Sequence, residues 1–167
     1  MTTTAVRPPC RDGEVMRERI EVASPRRGPA PAVPQEAAQV GELRRDAAAR
    51  LVHWGLEDLV GEVMVIMSEL LANALLHSGT ELIVLDVRVR DGFLVVTVID
   101  GMPGHATLRP AADDAESGRG LVLVESLAEA CGGTWGVSRN GAETWCRLPV
   151  PTAERPRERP RSVRTVE

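Results

Sequence analysis

The sequence predicts an α+β fold: a two-layer α/β sandwich whose mixed, mostly antiparallel sheet carries helices on one face. Three observations lead there. Two stretches with helical apolar spacing, about Gln35 to Val52 and Val60 to Ser78, come first. Two strand-like stretches, Leu82 to Arg90 and Phe93 to Ile99, then flank the turn pair Asp91-Gly92. One more helical stretch, Leu121 to Ala130, precedes a second hairpin made of Thr134 to Ser138 and Glu143 to Val150. Helices and hairpins in that order bury their apolar faces by stacking in two layers.

Each element has its own signal. Residues 1–16 are rich in Thr, Pro and Arg and read as a disordered N-terminal segment. Arg17 to Val22 reads as a strand, with Ile20 and Val22 alternating with charges. A Pro, Arg and Gly loop follows. In the first helix Val40, Leu43, Ala47 and Leu51 recur at helical spacing, and Trp54-Gly55 ends it with a left-handed cap at Gly55. The second helix is apolar almost all round, so it belongs in the core. In the stretch from Leu82, Ile83, Leu85, Val87 and Val89 form one apolar face. The return strand is apolar on both faces except at Thr97, which places it centrally in the sheet. Asp-Gly and Asn-Gly are strong hairpin turn pairs. Residues 151–167 form a Pro/Arg/Glu tail that cannot build a core, so the folded domain is expected over 17–150.

Composition narrows the function. The chain of 167 residues has a net charge of −4, which supplies no general basic field for nucleic acid. It has no Lys, so any phosphate contact by a basic side chain falls to Arg. Its aromatic residues are Phe93, Trp54, Trp135 and Trp145, too few for a base-stacking surface. Cys10, Cys131 and Cys146 lack metal-ligand spacing and fit a reducing compartment. No apolar leader follows the first residue, and no stretch reads as a membrane span, so a cytoplasmic location is expected.

The chemistry centres on Ser68-Glu69-Leu70-Leu71-Ala72-Asn73-Ala74-Leu75-Leu76-His77-Ser78. Glu69 and Asn73 are four apart and share a helix face, with Glu62 near it. A carboxylate there can hold a water or hydroxyl for proton transfer. A carboxamide oxygen is a hard ligand suited to Mg²⁺. Taken alone, the pair also fits a solvated strip on an amphipathic helix.

Two further stretches add to it. Asp100 follows the central strand, where a carboxylate can accept from an exocyclic amine such as adenine's. It also fits a simple Asp-Gly turn. Ser117-Gly118-Arg119-Gly120 opens the third helix. Its glycines allow close backbone approach, the helix start attracts anions, and Arg119 can fork onto phosphate oxygens. An N-cap at Ser117 is the plainer alternative. Between them, residues 105–117 lack periodicity, and a loop of that length can close over a ligand. His77 suits the C-terminal end of its helix, and the tryptophans suit the core.

Taken together, these residues resemble the GHKL, or Bergerat-type, ATP-binding fold shared by gyrase, Hsp90, histidine kinases and MutL. Within it the chain is similar to the compact anti-sigma-factor serine/threonine kinases of actinobacteria. Ser68 to Ala74 with His77 looks like the family's N box, Glu116 to Val124 like its second glycine box, and Trp135-Gly136-Val137 with Thr144-Trp145 like its closing strands. The resemblance implies a catalytic base at Glu69, Mg²⁺ coordination at Asn73 and adenine binding at Asp100. It implies nucleotide binding at Gly104, Gly118, Arg119 and Gly120, with the triphosphate under the loop that starts at His105. It departs from the family in two places. The first glycine box reads Asp100-Gly101-Met102-Pro103-Gly104, with Met102 at a usual glycine, and Gly141-Ala142-Glu143 lacks the usual Gly-Lys pair.

The expected function is an ATP·Mg²⁺-dependent kinase that phosphorylates a serine on an antagonist (anti-anti-sigma) protein and sequesters a sigma factor. The resemblance also allows a homodimer. The alternative is a non-enzymatic GHKL module whose surface binds a partner. No direct nucleic-acid or membrane partner is expected.

Overall fold

The computed structural model describes residues 12–22, 34–103 and 119–151. Their elements run in the order β1 (Gly13–Glu21), α1 (Pro34–His53), a single 3-10 turn (Glu57–Leu59), α2 (Val60–His77), β2 (Leu82–Arg90), β3 (Phe93–Ile99), α3 (Arg119–Ala130), β4 (Thr134–Val137) and β5 (Glu143–Pro149). The five strands lie in the order β1-β2-β3-β5-β4, and each of the four pairings is antiparallel. The expected two-layer α+β sandwich is present, with β3 at the centre. The sheet is antiparallel throughout its described pairings rather than mixed, because its non-hairpin neighbours β1–β2 and β3–β5 also run antiparallel.

The helices cover one face of the sheet. Ile83, Leu85, Val87, Val89, Leu94, Val96 and Val98 point into that layer and are buried. On the other face Asp86 is covered by arginines: Arg88 Nη2 lies 2.5 Å from its Oδ2 and Arg17 Nη1 lies 3.7 Å away. At the β2–β3 turn, Asp91 and Gly92 both have positive φ, 51° and 77°. Two left-handed residues give the hairpin turn whose twist matches its strands.

β1 begins four residues before the expected strand. Its pairing with β2 slips between Glu14 and Met16, and Val15 and Met16 are both buried. A bulge lets neighbouring side chains turn the same way, so the period-two signal starts only after it. Residues 13–16 therefore belong to the sheet. The expected disordered segments lie outside the described residues over 1–11 and 152–167.

α1 starts with Pro34 in its first turn, where a missing N–H costs nothing. Its end is closed by two bonds: Leu56 N donates to Leu51 O at 2.8 Å and Gly55 N to Val52 O at 2.9 Å. Gly55 has φ 73°, so this is the Schellman cap the Trp54-Gly55 pair announces. α3 ends the same way: Gly133 N donates to Ala128 O at 2.8 Å and Gly132 N to Glu129 O at 2.9 Å.

α2 is the core helix. Val63, Ile66, Met67, Leu70, Leu71, Ala74 and Leu75 are buried, and the helix touches α1, α3, β2, β3 and β5. One expectation needs correcting. Glu57–His77 is long and apolar enough, at mean hydropathy 1.8, to pass for a membrane span by length and composition. Its charged residues are Glu57, Asp58, Glu62 and Glu69, with Ser68, Asn73 and His77 the other polar side chains, and between them the stretch is apolar. In the fold its apolar faces are used against the other helices and the sheet. Leu71 has no exposed surface, so Leu71→Ala should destabilise by about 2–5 kcal/mol, read by urea unfolding. A loss below about 1 kcal/mol would contradict this packing.

Burial pushes the Cys146 thiol up to about 12, with nearby Cys131 adding to the rise. Folding thus favours the neutral thiol. That contribution is present below the ordinary thiol pKa and is lost as pH climbs toward about 12. At about pH 8, iodoacetamide should label the partly exposed Cys131 and spare Cys146 until denaturant is added. Labelling of native Cys146 at the denatured rate would contradict its burial.

Candidate functional site

The polar face of α2 meets the start of α3. Glu69 and Asn73 are both half-buried, one turn apart. The other faces of α2 are committed to the core, so this face is the one left to carry polar groups. Gly120, in the first turn of α3, lies directly against the Glu69 side chain. A Cβ built there would collide with Glu69 Oε2 and stand 3.5 Å from its carboxyl carbon. Neither Glu69 nor Asn73 makes a side-chain hydrogen bond or ion pair among the described residues. Arg119, exposed, adjoins Gly120 at the same helix start. Glu69 thus lies against the first turn of α3, where Arg119 and the helix N–H groups also sit, with Asn73 one turn further along α2.

Asp100 is held separately, past the end of β3. Its backbone N–H and that of Gly101 both donate to Ala142 O, at 3.1 and 3.3 Å. Gly101 has φ 68°, and Met102 N donates to Asp100 Oδ1 at 2.9 Å. The side chain thus closes a turn, as the plainer sequence reading held. Met102 takes one of the roughly four acceptor positions of an ionised carboxylate. The helix-facing side of β3 is packed by α2, so Asp100 ends a strand that underlies the α2 face. Gly104, Gly118 and the loop that starts at His105 lie outside the described residues.

Sequence reasoning passed over Thr144 as a site residue. It is buried at 6% exposure and pairs with Val98, two residues before Asp100. Alternation along β5 puts it on the helix-facing side with Cys146 and Leu148. The sequence carried no signal for it, because its place near the end of β3 follows from the β3–β5 register. The Glu69–Gly120 contact had none, because it joins residues 51 positions apart in the chain.

Residues 33–148 match the family described as histidine kinase-like ATPase domain. The chain belongs to that family. The match spans every described element except β1 and the last residue of β5. No curated protein matches the chain. A histidine kinase-like ATPase domain is an ATP-binding GHKL module, and the Glu69, Asn73, Asp100 and Gly120 positions are where this one presents polar groups.

The residues present fit a Mg²⁺ ion held together with phosphates. No group of three or more His, Cys, Asp or Glu side chains among the described residues could cage a metal. Mg²⁺ ordinarily keeps waters and takes one or two protein ligands beside phosphate oxygens. The Asn73 carboxamide oxygen is a hard donor of that type. Asp100→Asn replaces one carboxylate oxygen with an NH2 donor and leaves one oxygen for Met102 N. If adenine's exocyclic amine donates to Asp100, as the resemblance implies, calorimetry should show ATP affinity falling about tenfold or more. Unchanged affinity would place the adenine elsewhere.

Proposed function

We propose that this chain is an ATP·Mg²⁺-dependent protein serine/threonine kinase of anti-sigma-factor type. The observation that carries the reading is the seat of Glu69: a carboxylate with no partner among the described residues, at the glycine start of α3 in an ATP-binding family. Such a carboxylate is set to receive a proton at the place where a helix start attracts phosphate.

In the proposed reaction a serine hydroxyl oxygen on an antagonist protein bonds to the γ-phosphorus of ATP. The bond from that phosphorus to the β-bridging oxygen breaks, ADP leaves, and the hydroxyl proton passes to Glu69. Asn73 would hold the Mg²⁺, which when bound supplies charge neutralisation on the phosphate oxygens. Arg119 offers a forked donor to the phosphoryl oxygens. Asp100, with Thr144 on the same side of the sheet, orients the adenine end.

The partners proposed are a sigma factor, which the chain sequesters, and the antagonist that releases it. The proposed location is cytoplasmic, and a homodimer is compatible with the reading. A second reading has one observation in its favour. Met102 stands where the family has glycine, and its amide already engages Asp100. In that reading the chain is a binding module without turnover.

Glu69→Ala should abolish phosphate transfer to the antagonist while ATP affinity stays within about threefold, because a general base contributes about 10²–10⁴-fold to rate. Labelled ATP and calorimetry read the two quantities. Equal phosphorylation by wild type and variant would contradict the assignment of Glu69, and ATP binding with no transfer by wild type would favour the second reading.

A further inference from the structure

Gly120 presents a puzzle of residue choice. It is helical and is not among the residues with positive φ, so its backbone does not call for glycine. Glycine in a helix costs about 1 kcal/mol relative to alanine. Space must supply the reason, as it does not at Gly61 in α2, where nothing lies within 4 Å of a built Cβ.

At Gly120 the space belongs to Glu69. The built Cβ stands 3.7 Å from Glu69 Cβ, an ordinary contact, so α2 and α3 need not separate to admit a methyl group. Its collision is with Oε2, the far end of a flexible side chain. A methyl at 120 would therefore leave the fold intact and turn the carboxylate out of its seat.

We propose that Gly120 is a positioning residue for Glu69, keeping open the seat from which that carboxylate acts. The inference rests on the proposed reading of Glu69 as the base. It gives Gly120 a role distinct from contact with the nucleotide.

The test is Gly120→Ala in the full chain, with Mg·ATP labelled at the γ-phosphate as the probe. Thermal unfolding should show a Tm equal to wild type or slightly higher, since alanine is the better helix former. Mg·ATP affinity and KM should stay within about threefold, while kcat falls about tenfold or more, the signature of a displaced base. Glu69→Gln combined with Gly120→Ala should lose no more rate than Glu69→Gln alone, because both act through one carboxylate.

Unchanged kcat in Gly120→Ala overturns the inference. So does a loss of Mg·ATP affinity that persists in the Glu69→Gln background, which would assign the glycine to the nucleotide. A fall in Tm that Glu69→Ala does not relieve also overturns it. Wild type that fails to bind Mg·ATP, or binds it without transfer, would instead bring down the functional reading and this inference with it. Wild-type turnover retained in Gly120→Ala brings down the inference alone.

Discussion

The structure depends on the burial of α2. A helix whose Val63, Ile66, Met67, Leu70, Leu71, Ala74 and Leu75 all enter the core has one face left for Glu69 and Asn73. Burying polar groups without partners is costly, so that face must open onto water or a ligand. α1, α3 and the sheet close the other sides. The opening therefore falls at the start of α3, and a glycine there lets the carboxylate lie against the backbone.

Much of this was legible in the residues themselves. The spacing of Val40, Leu43, Ala47 and Leu51, the caps at Gly55 and Gly132 and the turn pairs at Asp91-Gly92 and Asn140-Gly141 are local signals. Local signals survive folding because they act within a few residues. The two hairpin pairs were legible too, and the strand interrupted only by Thr97 was read as central. The β3–β5 pairing, which joins distant segments and makes the sheet antiparallel throughout rather than mixed, was not.

What escaped the sequence depends on contacts between distant positions or on broken periodicity. The bulge near Val15 and Met16 hid the first four of the nine residues of β1. Thr144 looked like an ordinary strand residue until its pairing with Val98 put it on the helix-facing side two residues from Asp100 along the register. The α2 stretch is uniformly apolar enough to mimic a membrane span, and only its packing separates the two cases. For the candidate site, residue types and their face on α2 were readable. The turn at Asp100 was readable as well, since its bond to Met102 is local. The seat of Glu69 on Gly120 was not, because it needs the fold.

The central claim is that the polar face of α2, the turn after β3 and the start of α3 form one nucleotide site. Amide hydrogen exchange with and without Mg·ATP tests it most directly, because it reads each segment separately. The account predicts slower exchange at residues 100–103, in the first turn of α3 and along the C-terminal half of α2. A second groove, lined by Arg44, Arg45 and Met64 between α1 and α2, should be unaffected. Protection confined to that groove, or none anywhere at saturating Mg·ATP, would contradict it.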